Sequence, residues 1–91
     1  MNTEDRLAEI KARLEAALAP ESLQVDDESH QHIGHEGAKS GLGHFRVLVV
    51  SDKFQGQSPI KRHRLVYQAM GDLMQTDIHA LAIEAFTPDE F

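Results

Sequence analysis

The feature that most constrains this chain is the run from His44 to Val50, HFRVLVV, with five apolar residues in seven. Phe45, Val47 and Val49 alternate with Leu48 and Val50, so both faces of an extended segment are apolar. That is the pattern of a strand covered on both sides or central in a sheet, and it reads as the middle strand. A polar break follows at Ser51-Asp52-Lys53, then Gly56 suits a tight turn. Ser58-Pro59 next offers an N-cap hydroxyl and a proline at the first helical position, where its missing N–H is no loss. A helix is expected to begin there.

The flanking segments are arranged around this strand. Thr3 reads as an N-cap, Glu4 and Asp5 suit the positive end of a helix dipole, and Leu7, Ile10, Leu14 and Leu18 recur on one stripe until Pro20. A first helix over residues 3–19 is predicted. Leu23 and Val25 alternate with polar neighbours before Asp26-Asp27-Glu28, the mark of a half-buried edge strand. Residues 30–43 hold four glycines and three histidines and read as a long loop. The second helix, over 59–75, has Ile60, Val66, Tyr67, Met70, Leu73 and Met74 in one arc, with His63 in its middle. Thr76-Asp77 breaks it, and residues 78–86 form a last strand in which His79, Leu81, Ile83 and Ala85 share a face.

The order is α-β-β-(short α)-α-β, with the short turn around Lys53 and Phe54. The first two strands form an antiparallel hairpin. The strand-helix-strand passage is a right-handed crossover that makes the last two strands parallel. The expected fold is α+β: one domain over 1–91, ordered over about 3–88, in which a three-stranded mixed sheet carries both long helices on one face. Leu7, Ile10, Leu14, Val47, Val49, Val66, Met70, Leu81 and Ile83 are the expected core.

Composition narrows the chemistry. Ninety-one residues with 41% hydrophobic content allow one modest core. The absence of cysteine removes disulfides and thiolate metal sites. No apolar run approaches membrane-spanning length, and the first residues are acidic where a transit peptide would be basic, so a soluble cytoplasmic protein is expected. A net charge of −6 opposes generic nucleic-acid binding, yet between Lys39 and Arg64 six basic residues face a single acid, Asp52.

Six histidines are the first sign of chemistry. His30, His32 and His35 sit in the loop, where solvation and metal ligation compete as readings. No pair has the spacing of a zinc protease, so a catalytic zinc is not expected. His63, on the apolar arc, reads as a structural, hydrogen-bonded core residue. His79 stands at a strand start from which a side chain could reach a cleft. Lys53, Lys61, Arg62 and Arg64 form a basic strand-to-helix region able to meet phosphates. Gly34-His35-Glu36-Gly37 has the spacing of a GxxG nucleic-acid loop but joins two strands and carries an acid. No Ser/His/Asp set, phosphate loop or paired catalytic carboxylates stands out, and an enzyme is not expected.

Taken together, VDDES before the loop, HFRVLVVSDKF, the F-x-G-x-S-P turn at Phe54 to Pro59, RHR at Arg62 to Arg64 and HALAIEAFTP from His79 resemble the BolA family across most of the chain. The resemblance implies a fold similar to a class II KH arrangement. It implies partnership with monothiol glutaredoxins through a shared [2Fe-2S] cluster and, for some bacterial members, DNA binding in transcriptional control. By motif position the cluster ligands would be His79 and, from the loop, His32, with His30 and His35 as nearby alternatives. A chain without cysteine would need the partner's thiolate and glutathione for the remaining ligands. The leading expectation is therefore a non-enzymatic, glutaredoxin-binding protein of iron–sulfur handling or iron sensing. The alternative is a DNA-binding transcriptional regulator, and a weak homodimer is also among the expected associations.

Overall fold

The computed structural model describes residues 2–28 and 43–91. Helix α1 spans Thr3–Leu18, and strands β1 (Ser22–Asp27) and β2 (Gly43–Val50) follow. A 3₁₀ turn at Asp52–Phe54 leads to α2 (Pro59–Met70), the single turn α3 (Leu73–Thr76) and β3 (Ile78–Phe86), and a second 3₁₀ turn at Pro88–Glu90 ends the chain. The sheet order is β1-β2-β3, with β1 antiparallel and β3 parallel to β2. This is the α+β architecture that the alternation and the crossover demanded.

Register decides which face is covered. Leu23 and Val25 stand opposite Val49 and Val47 on one side, and Leu81, Ile83 and Ala85 stand opposite Phe45, Val47 and Val49 on the other. All of these join one core with Ile10 and Leu14 of α1 and Val66 and Met70 of α2. Val47 and Val49 are fully buried, so the helices lie on their side of the sheet. Leu7, Leu81 and Ile83, expected inside, are only partly buried at the core margin. The opposite face carries Leu48 and Val50 at one end and is polar toward the His44 end, where Arg46 spans it, its Nε 3.2 Å from Glu28 and its Nη1 2.7 Å from Glu84, joining β2 to the end of β1 and to β3.

Helix starts and stops follow from local chemistry. Ser58 caps α2, its side chain accepting from the Lys61 N–H with Pro59 at the first position. Asn2, rather than Thr3, caps α1 by accepting from Asp5 N at 2.8 Å. Buried Ser51 donates to the Leu18 carbonyl at 2.6 Å and accepts from Lys53 N, closing the end of α1 and the start of the 3₁₀ turn with one hydroxyl.

Three expectations are corrected. The second helix is not continuous to 75, because Gly71 takes φ 56 and ends α2 two residues before α3 begins. α2 is also rolled relative to the sequence arc. Its inward residues are Arg62, Leu65, Val66, Ala69 and Met70, whereas Ile60 (66% exposed) and Tyr67 (42%) face solvent. His63 is exposed and takes no part in the core, so its expected structural role is withdrawn. The stem of Arg62 occupies the inward position instead, its side chain only 15% exposed.

Arg62 clasps the C-terminus. It donates to the Gln57 and Ala85 carbonyls and to both carboxylate oxygens of Glu90, at 2.6 and 3.2 Å. Glu90 also accepts from Thr87 N at 2.8 Å, completing a capping box. Arg62 first, and the Thr87 N–H second, hold the Glu90 carboxyl at about 2. A carboxylate lowered from an unfolded value of about 4.3 stabilises the fold above that value and loses its contribution as pH falls toward the folded one. Thermal melts from pH 6 down to pH 2 should therefore show Glu90→Gln melting below the parent at neutral pH, with the gap closing in acid. A gap independent of pH would refute the clasp.

Candidate functional site

At the end of the sheet where the strand after α3 begins, the register of β2 and β3 slips by one residue. Gly43 stands opposite Ile78 and His44 opposite Ala80, which leaves His79 as the extra residue of a bulge. The slip has a packing reason. Ala80 shares the polar face with His44, and in an unbroken strand Ile78 would lie there too. The bulge changes the parity, so Ile78 turns into the core, where it is 1% exposed. His79 therefore does not share a face with Leu81, Ile83 and Ala85 as the alternation suggested.

The bulge is pinned on both strands. Gly43 N donates to the Asp77 carbonyl at 2.9 Å, and a Cβ on Gly43 would fall into the Phe45 ring. Asp77, 8% exposed, accepts from Thr76 Oγ1 at 2.7 Å and from Arg6 Nε at 3.2 Å, which ties the helix-to-strand junction to α1. The Thr76 hydroxyl, and after it the Arg6 guanidinium, keep the Asp77 carboxyl below the usual range.

His79 is exposed, and its ring lies against that of His44, with centroids 5.0 Å apart and planes inclined at 50°. His44 is 6% exposed. It also lines a concavity of about 410 Å³ over the polar face, walled by Glu28, Arg46, Ala80 and Ala82. Sequence reasoning assigns His44 no role of its own; its signals are its place at the head of a mainly apolar run and at the start of the HFRVLVVSDKF segment.

The other expected site residues are dispersed. His30, His32 and His35 lie outside the described residues. Lys61, His63 and Arg64 are exposed on α2, and Lys53 is exposed in the 3₁₀ turn before it. Arg62 is engaged by Glu90 and by two carbonyls, so it departs from the expected row of phosphate-facing cations. Among the described residues no three His, Asp or Glu side chains converge on a metal position. Nor is any described helix long and apolar enough to cross a membrane. At this end of the sheet, among the described residues, the site presents the exposed imidazole of His79 beside the buried ring of His44.

Residues 14–90 match the family model described as BolA-like protein. The chain is 44% identical over 86 residues to SufE-like protein 1, chloroplastic/mitochondrial, of Arabidopsis thaliana, covering 89% of this chain and 23% of that protein. The solved BolA domain of SufE1 from the same plant superposes with a TM-score of 0.85 at 43% identity, covering 100% of this chain and 99% of the domain. BolA-like protein 1 of Mus musculus is 46% identical over 84 residues, 92% of this chain and 59% of its own length. The DNA-binding transcriptional regulator BolA of Escherichia coli is 39% identical over 82 residues, covering 90% of this chain and 75% of that protein. The chain thus spans less than two thirds of the plant and mouse relatives. The plant protein's organellar name lends no support to the cytoplasmic expectation. On the family model and these relatives together, the chain belongs to the BolA family.

Proposed function

We propose that this BolA-family chain is a non-enzymatic partner of a monothiol glutaredoxin and contributes histidine to a shared [2Fe-2S] cluster. The observation that carries the reading is the exposed imidazole of His79, projected from a pinned bulge at the start of a core strand in a chain that has no cysteine. His79 donates one ligand, and His32, outside the described residues, is the expected second, with His30 and His35 as substitutes. The glutaredoxin and glutathione supply the thiolates. Imidazoles replacing thiolates on one iron raise the reduction potential of such a cluster. The protein's part is to hold the lone pair of a neutral imidazole nitrogen toward the partner, since a protonated ring must lose its proton before it can bind a metal.

The test is the visible absorption and circular dichroism of the pair, reconstituted with glutathione. The mixed species should differ from glutaredoxin alone, and His79→Ala should return the spectrum toward that of glutaredoxin alone while His32→Ala has the weaker effect. A His79→Ala mixture with the parent's spectrum and cluster lifetime would sink the reading.

A second reading, DNA binding, rests on the exposure of Lys53, Lys61 and Arg64 beside the N-terminus of α2 and on the similarity to the Escherichia coli DNA-binding transcriptional regulator BolA. If it holds, Lys61→Ala with Arg64→Ala should lower the salt slope of binding by about one unit for each phosphate left unneutralised. Arg62→Ala should act chiefly on thermal stability, because its guanidinium is committed to the C-terminal clasp. Parent-like binding by the double variant at every salt concentration would leave α2 a merely solvated surface.

A further inference from the structure

We propose that His44 is a positioning residue for His79, a backing ring that sets the plane of the exposed imidazole; the inference rests on the reading of His79 as an iron ligand. The two histidines belong to different strands and meet only because the register slips at Gly43/His44. Exposure separates their roles. His44, 6% exposed, is enclosed in the wall of the concavity over the polar face, whereas His79 is open to solvent. An iron held mainly by another protein must be reached from outside, and the outer ring can do that. The inner ring closes one side of it, at a separation and tilt usual for packed aromatic pairs.

The support beneath is rigid. Phe45, next to His44, is 2% exposed, Ile78, next to His79, is 1% exposed, and Gly43 N is bonded to the Asp77 carbonyl. The backbones of both histidines are therefore fixed, and the remaining freedom of His79 lies in its side-chain torsions. A ligand whose ring is oriented before the metal arrives loses less freedom on binding, and outer groups that fix ligating imidazoles are worth about 10-fold or more in affinity.

Two substitutions separate backing from ligation: His44→Phe keeps a ring and removes its nitrogens, and His44→Ala removes the ring. In the protein free of metal, long-range ¹H–¹⁵N spectra of the His79 imidazole should stay near the parent's in His44→Phe. In His44→Ala they should move toward the averaged pattern of an unrestrained histidine. With reconstituted glutaredoxin, His44→Ala should shorten cluster lifetime about 10-fold, and His44→Phe should retain most of it. Unchanged His79 resonances in His44→Ala would overturn the proposal. So would a His44→Phe cluster lost as fully as in His79→Ala, because His44 would then be a ligand itself. The metal-free measurement keeps the two readings apart: cluster sharing is judged by His79→Ala with the partner, and the backing role by His79 resonances with no cluster present.

Discussion

Replacing Phe54 by alanine should destabilise the domain by about 3–5 kcal/mol, the usual range for removing a buried phenyl ring from a core. Phe54 has no exposed surface and is among the largest fully buried side chains, although it comes from a three-residue 3₁₀ turn. It belongs to the cluster of Ile10, Leu14, Leu18, Val66 and Met70, so its ring is shared by the elements that precede and follow it. A domain of this size has a stability of only about 5–14 kcal/mol in all. The melting temperature should fall on the order of 20 °C. Ile60→Ala should move it by very little, since Ile60 is 66% exposed and surface changes are usually within about 0.5 kcal/mol. Circular dichroism melts of the two variants decide the matter. A small loss for Phe54→Ala, or a large one for Ile60→Ala, would show that α2 and the preceding turn are rolled the other way.

That contrast marks where the sequence was legible. The strand His44–Val50, the Ser58-Pro59 helix start and the parallel return were readable because each rests on local chemistry: an apolar run, a cap, a proline, and the handedness of a crossover. The roll of α2 was not. Amphipathic spacing finds an apolar arc but does not tell its middle from its margin. Ile60 and Tyr67 drew the arc toward themselves, while the inward place went to the stem of Arg62, whose partners lie in three separate segments. The ordered C-terminus was hidden for the same reason, since Glu90 is held by a residue of α2. At the site, resemblance to a family drew attention to His79, but alternation placed it on the wrong face. A one-residue slip reverses every side chain beyond it and leaves no mark in composition or period. His44 became visible only once the slip had brought the two rings together.

The slip itself should be vulnerable to a single methyl group. Gly43→Ala places a Cβ inside the ring of Phe45, which is 2% exposed and has no solvent side to swing toward. Backbone strain is not the cause, for among the described residues the glycines with positive φ are Gly56 and Gly71. At Gly56 an added Cβ meets nothing within 4 Å, so substitution there tests φ alone. At Gly43 either the ring leaves its core position or β2 withdraws from Asp77, and overpacking of this kind costs about 1–3 kcal/mol. The functional loss should exceed the loss of stability. Displacement here opens the bulge, breaks the Gly43 to Asp77 hydrogen bond and separates His44 from His79, so the His79 imidazole signals should change even at temperatures where the variant is fully folded. Phe45→Leu removes the ring atoms that collide. Combined with Gly43→Ala it should destabilise by less than the sum of the single changes, a coupling of about 0.5–3 kcal/mol expected for residues that touch. Additive losses, or a Gly43→Ala protein whose melting and His79 signals match the parent, would mean that the bulge tolerates a side chain and that the glycine is not what places His79.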